Sequence, residues 1–208
     1  MADIIPSLLR TLIMDASIAE ELLKQSDNQA HRRNLIRSNF AVLEGVVWEM
    51  KESVREAADH LGELTSLADL AFRDRIYAVN DKGDLVERFQ PMGLLTAIRY
   101  TGKQAQKIAP ELVIDFSGEG WSCLRSAIKV RNRIIHPKTG EDLLVTSKNL
   151  GDLSLALKWV LTITEDTMKA MIVVRREFNE KLTELLSLLK AGDPETLRLY
   201  QQIYQDSR

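Results

Sequence analysis

Apolar residues recur at steps of three and four along most of this 208-residue chain, the spacing that the buried face of an α-helix produces. The pattern predicts a first helix over residues 3–25 and a long second helix that begins near Asn28 and runs to Leu61. Gly62 then offers a break, and the same spacing over residues 64–78 predicts a third helix.

A turn interrupts the helical pattern in the middle of the chain. Residues 80–84, Asn-Asp-Lys-Gly-Asp, are of the types that tight turns favour. The segments on either side, 76–79 and 85–89, fit the two strands of a small hairpin. Helical spacing resumes over residues 94–109 and ends before Pro110.

The second half of the chain contains the longest apolar stripe. A short helix over 121–135 precedes Pro137, which disfavours its continuation because the residue before a proline avoids helical geometry. The long stripe predicts a helix from about Asp152 to Lys190, followed by a tail helix over 193–206 with Pro194 at its first position.

These elements predict an all-α fold, a helical bundle with two long helices and a C-terminal tail helix. We assign residues 1–190 to the bundle and residues 191–208 to the tail helix, packed on the same domain. Hydrophobic residues make up 45% of the chain, which is enough for a substantial core.

Charge and cysteine content narrow the class of protein. With 28 Lys and Arg against 30 Asp and Glu, the net charge of −2 excludes a generally basic nucleic-acid coat but allows a local basic patch. The single cysteine, Cys123, has no partner for an internal disulfide, so we expect a reducing, cytoplasmic setting. Asp3 stands where a signal peptide has Lys or Arg, and no apolar run approaches the roughly 20 residues of a membrane span.

Sequence patterns for metal, nucleotide and hydrolase chemistry are absent. The three histidines lack ligand spacing, and Glu49, Glu52 and Glu56 fit a solvated helix face better than a metal site. Gly118-Glu-Gly120 lacks the third glycine of a dinucleotide-binding loop. We therefore expect no metal and no cofactor, and Cys123 fits a buried structural thiol better than a nucleophile.

Two segments are strongly basic. His31-Arg32-Arg33-Asn34 with Arg37 opens the second helix, and an exposed helix start pairing with nearby acids explains it better than a phosphate site. The second segment, 121–138, contains no acid and five cations: Arg125, Lys129, Arg131, Arg133 and Lys138.

Arg131 occupies an unusual position in this second segment. At about 100° per residue it lies near the centre of the apolar arc of its helix, whereas Arg125, Lys129 and Arg133 lie in the polar half. An unpaired buried guanidinium is costly, so Arg131 must reach an acid, a polar cavity, a partner subunit or a ligand. Such departures from the ordinary pattern are expected at functional sites.

The residues Arg131-Asn132-Arg133-Ile134-Ile135-His136 resemble the R-x4-6-H signature of the HEPN superfamily, the higher eukaryote and prokaryote nucleotide-binding domains, in which Asn often follows the arginine. That family is a helical bundle whose motif ends a short helix before a long final helix, and the predicted helices follow this order. The segment Phe40-Ala-Val-Leu43-Glu44-Gly45 is similar to part of the family's earlier long helix. The resemblance covers most of the chain as architecture and six residues as motif.

The resemblance implies a metal-independent endoribonuclease of a toxin or anti-phage defence type, with two copies of the motif meeting at a homodimer interface. His136 would be the general acid or base, Arg131 would bind the scissile phosphate, and Asn132 would orient the phosphate or the histidine. RNA would be the substrate, and a cognate antitoxin or regulator a further partner. The cations expected to contact other phosphates are Lys129, Arg133 and Lys138.

Two other classes of function stay open. Some members of the family have lost activity, so a catalytically inactive HEPN-like module that binds a protein or a nucleotide is the main alternative. A helical scaffold without a ligand is the third, and it would be favoured if acids from other helices neutralised the 121–138 segment. Lys138 stands where a subgroup paired with nucleotidyltransferase antitoxins has Tyr, so the resemblance does not extend to that mode of control.

The spacing of Arg131 and His136 makes a geometric prediction. Five residues rotate by ~500°, which leaves the two side chains about 140° apart on one continuous helix and unable to share a phosphate. We therefore expect the helix to end by Ile135, ahead of Pro137, and a two-fold dimer to place two motifs around one cleft.

Overall fold

A computed structural model describes residues 8–206 of the chain. The described part is an all-α bundle with one small hairpin, as the hydrophobic spacing predicts. Its elements are α1 Leu8–Gln25, α2 Gln29–His60, α3 Ser66–Phe72, β1 Arg75–Val79, β2 Leu85–Phe89, α4 Leu94–Ile108, α5 Glu119–Ile135, α6 Ser147–Ala191 and α7 Pro194–Asp206.

The core lies where α2 packs against α5 and α6, with α1 and α4 covering further faces of α2. The stripe predicted for the second helix is buried, and it includes Ile36, Phe40, Leu43, Met50 and Val54. On α5 most of the predicted apolar half is buried as well, at Cys123, Leu124, Ala127, Val130 and Ile134, whereas Ile135 is exposed. The spacing of apolar residues at steps of three and four therefore predicts which faces of these helices pack together.

Several helix ends follow from local chemistry. Asn28 caps α2 by accepting the N–H of His31 at 3.0 Å, which agrees with the predicted start. Gly192 ends α6 in the left-handed conformation at φ 76°, and Pro194 begins α7 as predicted. The start of α6 differs from the prediction near Asp152, because Thr146 and Asn149 form a reciprocal capping box that begins the helix at Ser147. Residues 3–7 of the predicted first helix lie outside the described residues.

The prediction of a third helix through residue 78 is wrong after Phe72. Asp74 takes the left-handed conformation at φ 54°, which no α-helix continues through, and its carbonyl accepts the N–H of Gln90 at 2.8 Å. The chain then forms the hairpin that the turn residues predict, with Val79 opposite Leu85. Pairing with the second strand outweighs the helical spacing of the first.

The longest helix, α6, has two differently packed parts. Its first part packs against α2 and α5 and contributes buried residues as far as Met171. The end of α2 reaches α6 through His60, whose Nε2 lies 2.8 Å from Asn179 Oδ1. Beyond Asn179 every α6 side chain except that of Leu189 is exposed, and α7 folds back against α6. None of the described helices combines the length and apolar character needed to cross a membrane.

Candidate functional site

Arg131 reaches across from α5 to α2. Its Nη2 lies 3.1 Å from Glu44 Oε1, and its Nη1 lies 3.3 Å from the Oδ1 of the neighbouring Asn132. The Arg131 side chain is 31% exposed and that of Glu44 52% exposed, so the pair is open to solvent on one side. The Nε atom is buried and, among the described residues, has no hydrogen-bond partner. Arg131 therefore reaches an acid, one of the partners that its place in the apolar arc leads us to expect.

The Arg131 guanidinium borders an open cavity of about 600 Å³ between α2, α4 and α5. The cavity combines an apolar wall with polar groups at one end, and its lining includes Phe40, Glu44, Met92, Leu94, Leu95, Thr96, Ile128, Arg131 and Asn132. The first turn of α4 forms part of this wall. Its cap residue, Gly93, has no side chain to accept the first N–H groups, so the partial positive charge of the helix start is left uncompensated.

A mostly buried ion pair fixes the segment that leads into α4. Lys51 of α2 is 4% exposed and its Nζ lies 2.8 Å from Asp74 Oδ2. The other carboxylate oxygen of Asp74 accepts the N–H of Met92 at 3.0 Å. Asp74 therefore holds the segment between the hairpin and α4, and Met92 and Gly93 of this segment line the cavity.

His136 lies at the end of α5, apart from this cavity. The helix ends at Ile135, as predicted, and His136 caps it with φ −122° and ψ 60° while its N–H donates to the Asn132 carbonyl at 3.0 Å. The imidazole is exposed and is not part of the cavity lining. Within one chain the structure brings Arg131 and Asn132 together and leaves His136 separate from them.

The loop after His136 is organised by Asp142. Its carboxylate accepts the backbone N–H groups of Lys138 and Thr139, each at 2.9 Å, and these bonds hold the pKa of Asp142 below its ordinary value. Arg133 donates to the carbonyl of Asp142 at 2.6 Å and to Asn149 Oδ1 at 3.2 Å. The loop is thereby tied to both α5 and the start of α6.

The basic cluster that opens α2 donates to backbone carbonyls of the same loop and of the last turn of α5. Arg32 donates to the carbonyl of Val145 at 2.9 Å, Arg33 to that of Leu143 at 3.0 Å, and Arg37 to that of Ile134 at 3.3 Å. Arg32 also pairs with Asp27, with Nη2 2.6 Å from Oδ2, so the predicted pairing with a nearby acid is correct for this residue. We call Arg32, Arg33, Arg37 and Arg133 the arginine clamp. The clamp explains cations at a helix start, where they are otherwise unfavourable.

The five cations of the 121–138 segment differ in how far they are engaged. Arg133 belongs to the clamp, and Arg131 pairs with Glu44. Across residues 8–206, no ion pair involves Arg125, Lys129 or Lys138, and all three are exposed. Acids of other helices therefore do not neutralise most of this segment's charge. The neutralisation that would favour a helical scaffold without a ligand is not found here.

Sequence reasoning did not single out Glu44 as a partner of Arg131. The two residues are 87 positions apart, and no local pattern connects them. The available signal was an acid next to the buried stripe of α2, between Leu43 and Val47.

The structure also shows the surroundings of the Cys123 thiol and of the possible metal ligands. Cys123 is buried, and burial raises the pKa of its thiol, which agrees with a structural rather than a nucleophilic cysteine. Among residues 8–206, no group of three or more His, Cys, Asp and Glu side chains is placed to hold a metal ion.

Comparisons of the chain with protein-family models, with curated proteins and with solved structures find no match. The HEPN resemblance therefore depends on the six-residue motif and on the order of the helices.

Proposed function

We propose that this protein is a metal-independent endoribonuclease of the HEPN type, a cytoplasmic toxin or anti-phage defence protein that acts as a homodimer. The observation that carries the proposal is the placement of Arg131, whose guanidinium borders an open cavity beside the uncapped start of α4. Arginine and a helix N-terminus both favour a phosphate group. The same helix, α5, ends at the histidine of the R-N-x-x-x-H motif.

Each motif residue has a role in the proposed reaction. The 2′-hydroxyl of a ribose attacks the adjacent phosphorus, its proton passes to a base, and the 5′-oxygen of the next nucleotide leaves with a proton. His136 carries out one of these proton transfers, and Arg131 stabilises the charge that develops on the phosphate oxygens. Asn132, 3.3 Å from Arg131, orients the phosphate or the histidine. The products are a 2′,3′-cyclic phosphate and a 5′-hydroxyl end.

A second copy of the chain completes the proposed site. His136 lies outside the cavity that Arg131 borders, so a two-fold axis near the end of α5 is needed to bring His136 of one protomer to the phosphate bound by Arg131 of the other. Ile135 within the motif and Leu144 in the loop that follows it are 38% and 53% exposed, and we propose that they supply apolar surface for such a contact. Lys129 and Lys138, with exposed ammonium groups, are proposed phosphate contacts, and Arg133 contributes mainly by holding the loop.

The alternative is a catalytically inactive HEPN-like module that binds a nucleotide or a protein, a cognate antitoxin or other regulator among them. The ion pair between Arg131 and Glu44 favours this alternative, because a carboxylate already satisfies the guanidinium. In such a module the cavity binds an anionic group and His136 takes no part in chemistry.

Incubation with total RNA in EDTA tests the proposal. We expect His136→Ala and Arg131→Ala each to reduce cleavage by at least ~10²-fold while the circular dichroism spectrum stays that of the wild type. His60→Ala, at the far end of α2, is the matched control and should cleave normally. Light scattering should give a mass near twice 23.6 kDa.

Four results would contradict the proposed nuclease. Cleavage at the wild-type rate by His136→Ala removes the histidine from the chemistry, and a requirement for Mg²⁺ removes the proposed mechanism. A strict monomer rules out the composite site. RNA binding without cleavage by the wild-type dimer supports the inactive module instead.

A further inference from the structure

A second, smaller cavity of about 360 Å³ adjoins the cavity at Arg131. The two share Leu95 and Thr96 in the first turn of α4, and the second is lined in addition by Arg99, Trp121 and Arg125. Neither Arg99 nor Arg125 belongs to the R-N-x-x-x-H motif or to the cations proposed above for RNA. The second cavity therefore needs its own explanation.

Two guanidinium groups border this cavity without a counter-ion. Arg99 and Arg125 are both exposed, and in the part of the chain that the structure describes no carboxylate oxygen lies within 4.0 Å of either group. Like charges in one cleft repel each other and raise its positive potential, which attracts an anion.

Aromatic rings hold Arg99 in place. Its Cζ lies 4.8 Å from the centroid of the Trp121 ring and 5.6 Å from that of Phe116, so the guanidinium makes cation–π contacts with both. Trp121 is buried and packs edge-on against Phe116 and Trp159. Arg99 thus rests on a rigid support, which reduces the entropy that it loses when it binds a ligand.

The start of α4 adds a third positive element to the same place. Its first turn contains no acid and its cap residue, Gly93, has no side chain, so the partial positive charge of the helix start extends to Leu95 and Thr96. Those two residues form the wall that the two cavities share.

We propose that Arg99 and Arg125 bind a phosphate group of single-stranded RNA, outside the scissile position at Arg131. The choice of RNA as the ligand depends on the ribonuclease function proposed above. Arg125 and Arg131 are six residues apart, about 9 Å along the axis of α5, so one strand can pass from the first cavity to the second around the start of α4.

A single strand fits this groove better than a duplex. The first cavity, which Arg131 borders, presents apolar side chains, Met92, Leu94 and Ile128 among them. An unstacked base can pack against such a wall, whereas the bases of an RNA duplex stay stacked inside the helix.

Fluorescence anisotropy with a labelled single-stranded RNA of about twelve nucleotides tests the proposal, in a His136→Ala background that leaves the RNA intact. We expect Arg99→Gln and Arg125→Gln each to weaken binding about tenfold. Each should also reduce the slope of log affinity against log salt by about 0.7. Arg176→Gln removes the same charge from the exposed part of α6 and should change neither quantity.

Two further comparisons distinguish the loss of a phosphate contact from damage to the fold. Arg99→Lys keeps the charge over Trp121 and should lose less affinity than Arg99→Gln, with both variants melting like the wild type. Arg125 makes no cation–π contact with the rings of residues 8–206, so Arg125→Gln keeps the proposal testable if Arg99 proves necessary for folding. Wild-type affinity in both glutamine variants overturns the proposal.

The remaining outcomes distinguish an RNA phosphate from a free anion as the ligand. They also separate failure of the phosphate site from failure of the proposed nuclease. If Arg125→Gln abolishes binding of inorganic phosphate but leaves RNA affinity unchanged, the cavity takes a free anion and the RNA assignment is overturned. If the glutamine variants lose RNA affinity while the wild-type dimer leaves total RNA uncleaved, the phosphate site stands and the nuclease fails. The opposite pair of results rejects the phosphate site and keeps the nuclease.

Discussion

Arg131 and Glu44 approach each other at the mouth of the main cavity, with Nη2 of the arginine 3.1 Å from Oε1 of the glutamate. Because both side chains retain solvent contact, an anionic ligand can compete with Glu44 for the guanidinium. The partially exposed pair contributes little to stability, since exposed ion pairs are typically worth ~0–1 kcal/mol. We therefore expect its main effect to be on the binding of the proposed anionic ligand.

Neutralising Glu44 should therefore strengthen RNA binding. In Glu44→Gln the guanidinium no longer faces a competing charge, and we expect RNA affinity to rise several-fold with a change in unfolding free energy below about 1 kcal/mol. Anisotropy titrations and urea unfolding measure the two quantities. Asp59→Asn removes an exposed acid from the same helix and should leave both unchanged. Weaker RNA binding by Glu44→Gln would mean that the carboxylate assists the ligand.

The Lys51–Asp74 pair should be costly to break from the carboxylate side. Asp74→Asn keeps the shape and tolerates the left-handed backbone at φ 54°, but it leaves the buried ammonium of Lys51 without a counter-charge. We expect a loss of about 3 kcal/mol in unfolding free energy, measured by urea denaturation. The double variant Lys51→Met/Asp74→Asn should recover much of the loss. Equal destabilisation of the single and double variants would show that the charge is not the cause.

Two glycines on neighbouring helices should respond to alanine in opposite directions. A Cβ at Gly120, near the start of α5, would overlap the side chain of Trp159, so Gly120→Ala should cost about 2 kcal/mol or more. A Cβ at Gly151 in α6 meets no atom within 4 Å, so Gly151→Ala should stabilise by about 0.5–1 kcal/mol through helix propensity. Thermal unfolding of the two variants and the wild type measures these changes in stability. If Gly120→Ala is as stable as the wild type, α5 lies farther from α6 than the structure has it.

The contribution of Asp142 should depend on pH. The pKa of its carboxyl is held below the ordinary value of 3.8, so the stabilisation that it provides is fully present above about pH 4 and is lost as the pH falls through the lower folded-state value. Asp142→Asn should therefore be less stable than the wild type at pH 7, and the difference should shrink towards pH 3. Urea unfolding at both values measures it.

The matched control for this pH dependence is Asp81→Asn. Asp81 is exposed in the hairpin turn and accepts no hydrogen bond from residues 8–206, so its substitution should matter little at either pH. An Asp142→Asn difference that is the same at pH 7 and pH 3 would show that the carboxylate's charge is not involved.

The sequence predicted features that depend on near neighbours. The buried stripe of α2, the cap at Asn28, the end of α5 before Pro137 and the hairpin turn each arise from residues within one or two helical turns of each other. The anomalous position of Arg131 was visible for the same reason, because it is a property of one helix. The acid that receives it was not predictable, since Glu44 comes from another helix and only packing brings the two together.

The two larger errors in element boundaries have different causes. Residues 75–78 have helical spacing, but their conformation is decided by hydrogen bonds to a strand ten residues further on. The start of α6 was placed too late because its capping box uses Asn149 at the third helical position, where the common pattern has Glu or Gln. The role of the α2 arginines was missed because their acceptors are backbone carbonyls, which every residue has.

The two differently packed parts of α6 have a consequence for how the chain comes apart. Up to Asn179 the helix shares a core with α2 and α5, and its hydrogen bonds break only when that core does. Past Asn179 it is supported by α7, and a helical segment of that length is marginal on its own. We therefore expect the boundary between two cooperatively unfolding units to lie inside α6 rather than in a loop. The C-terminal end of α6 then frays and re-forms while the site at Arg131 stays intact.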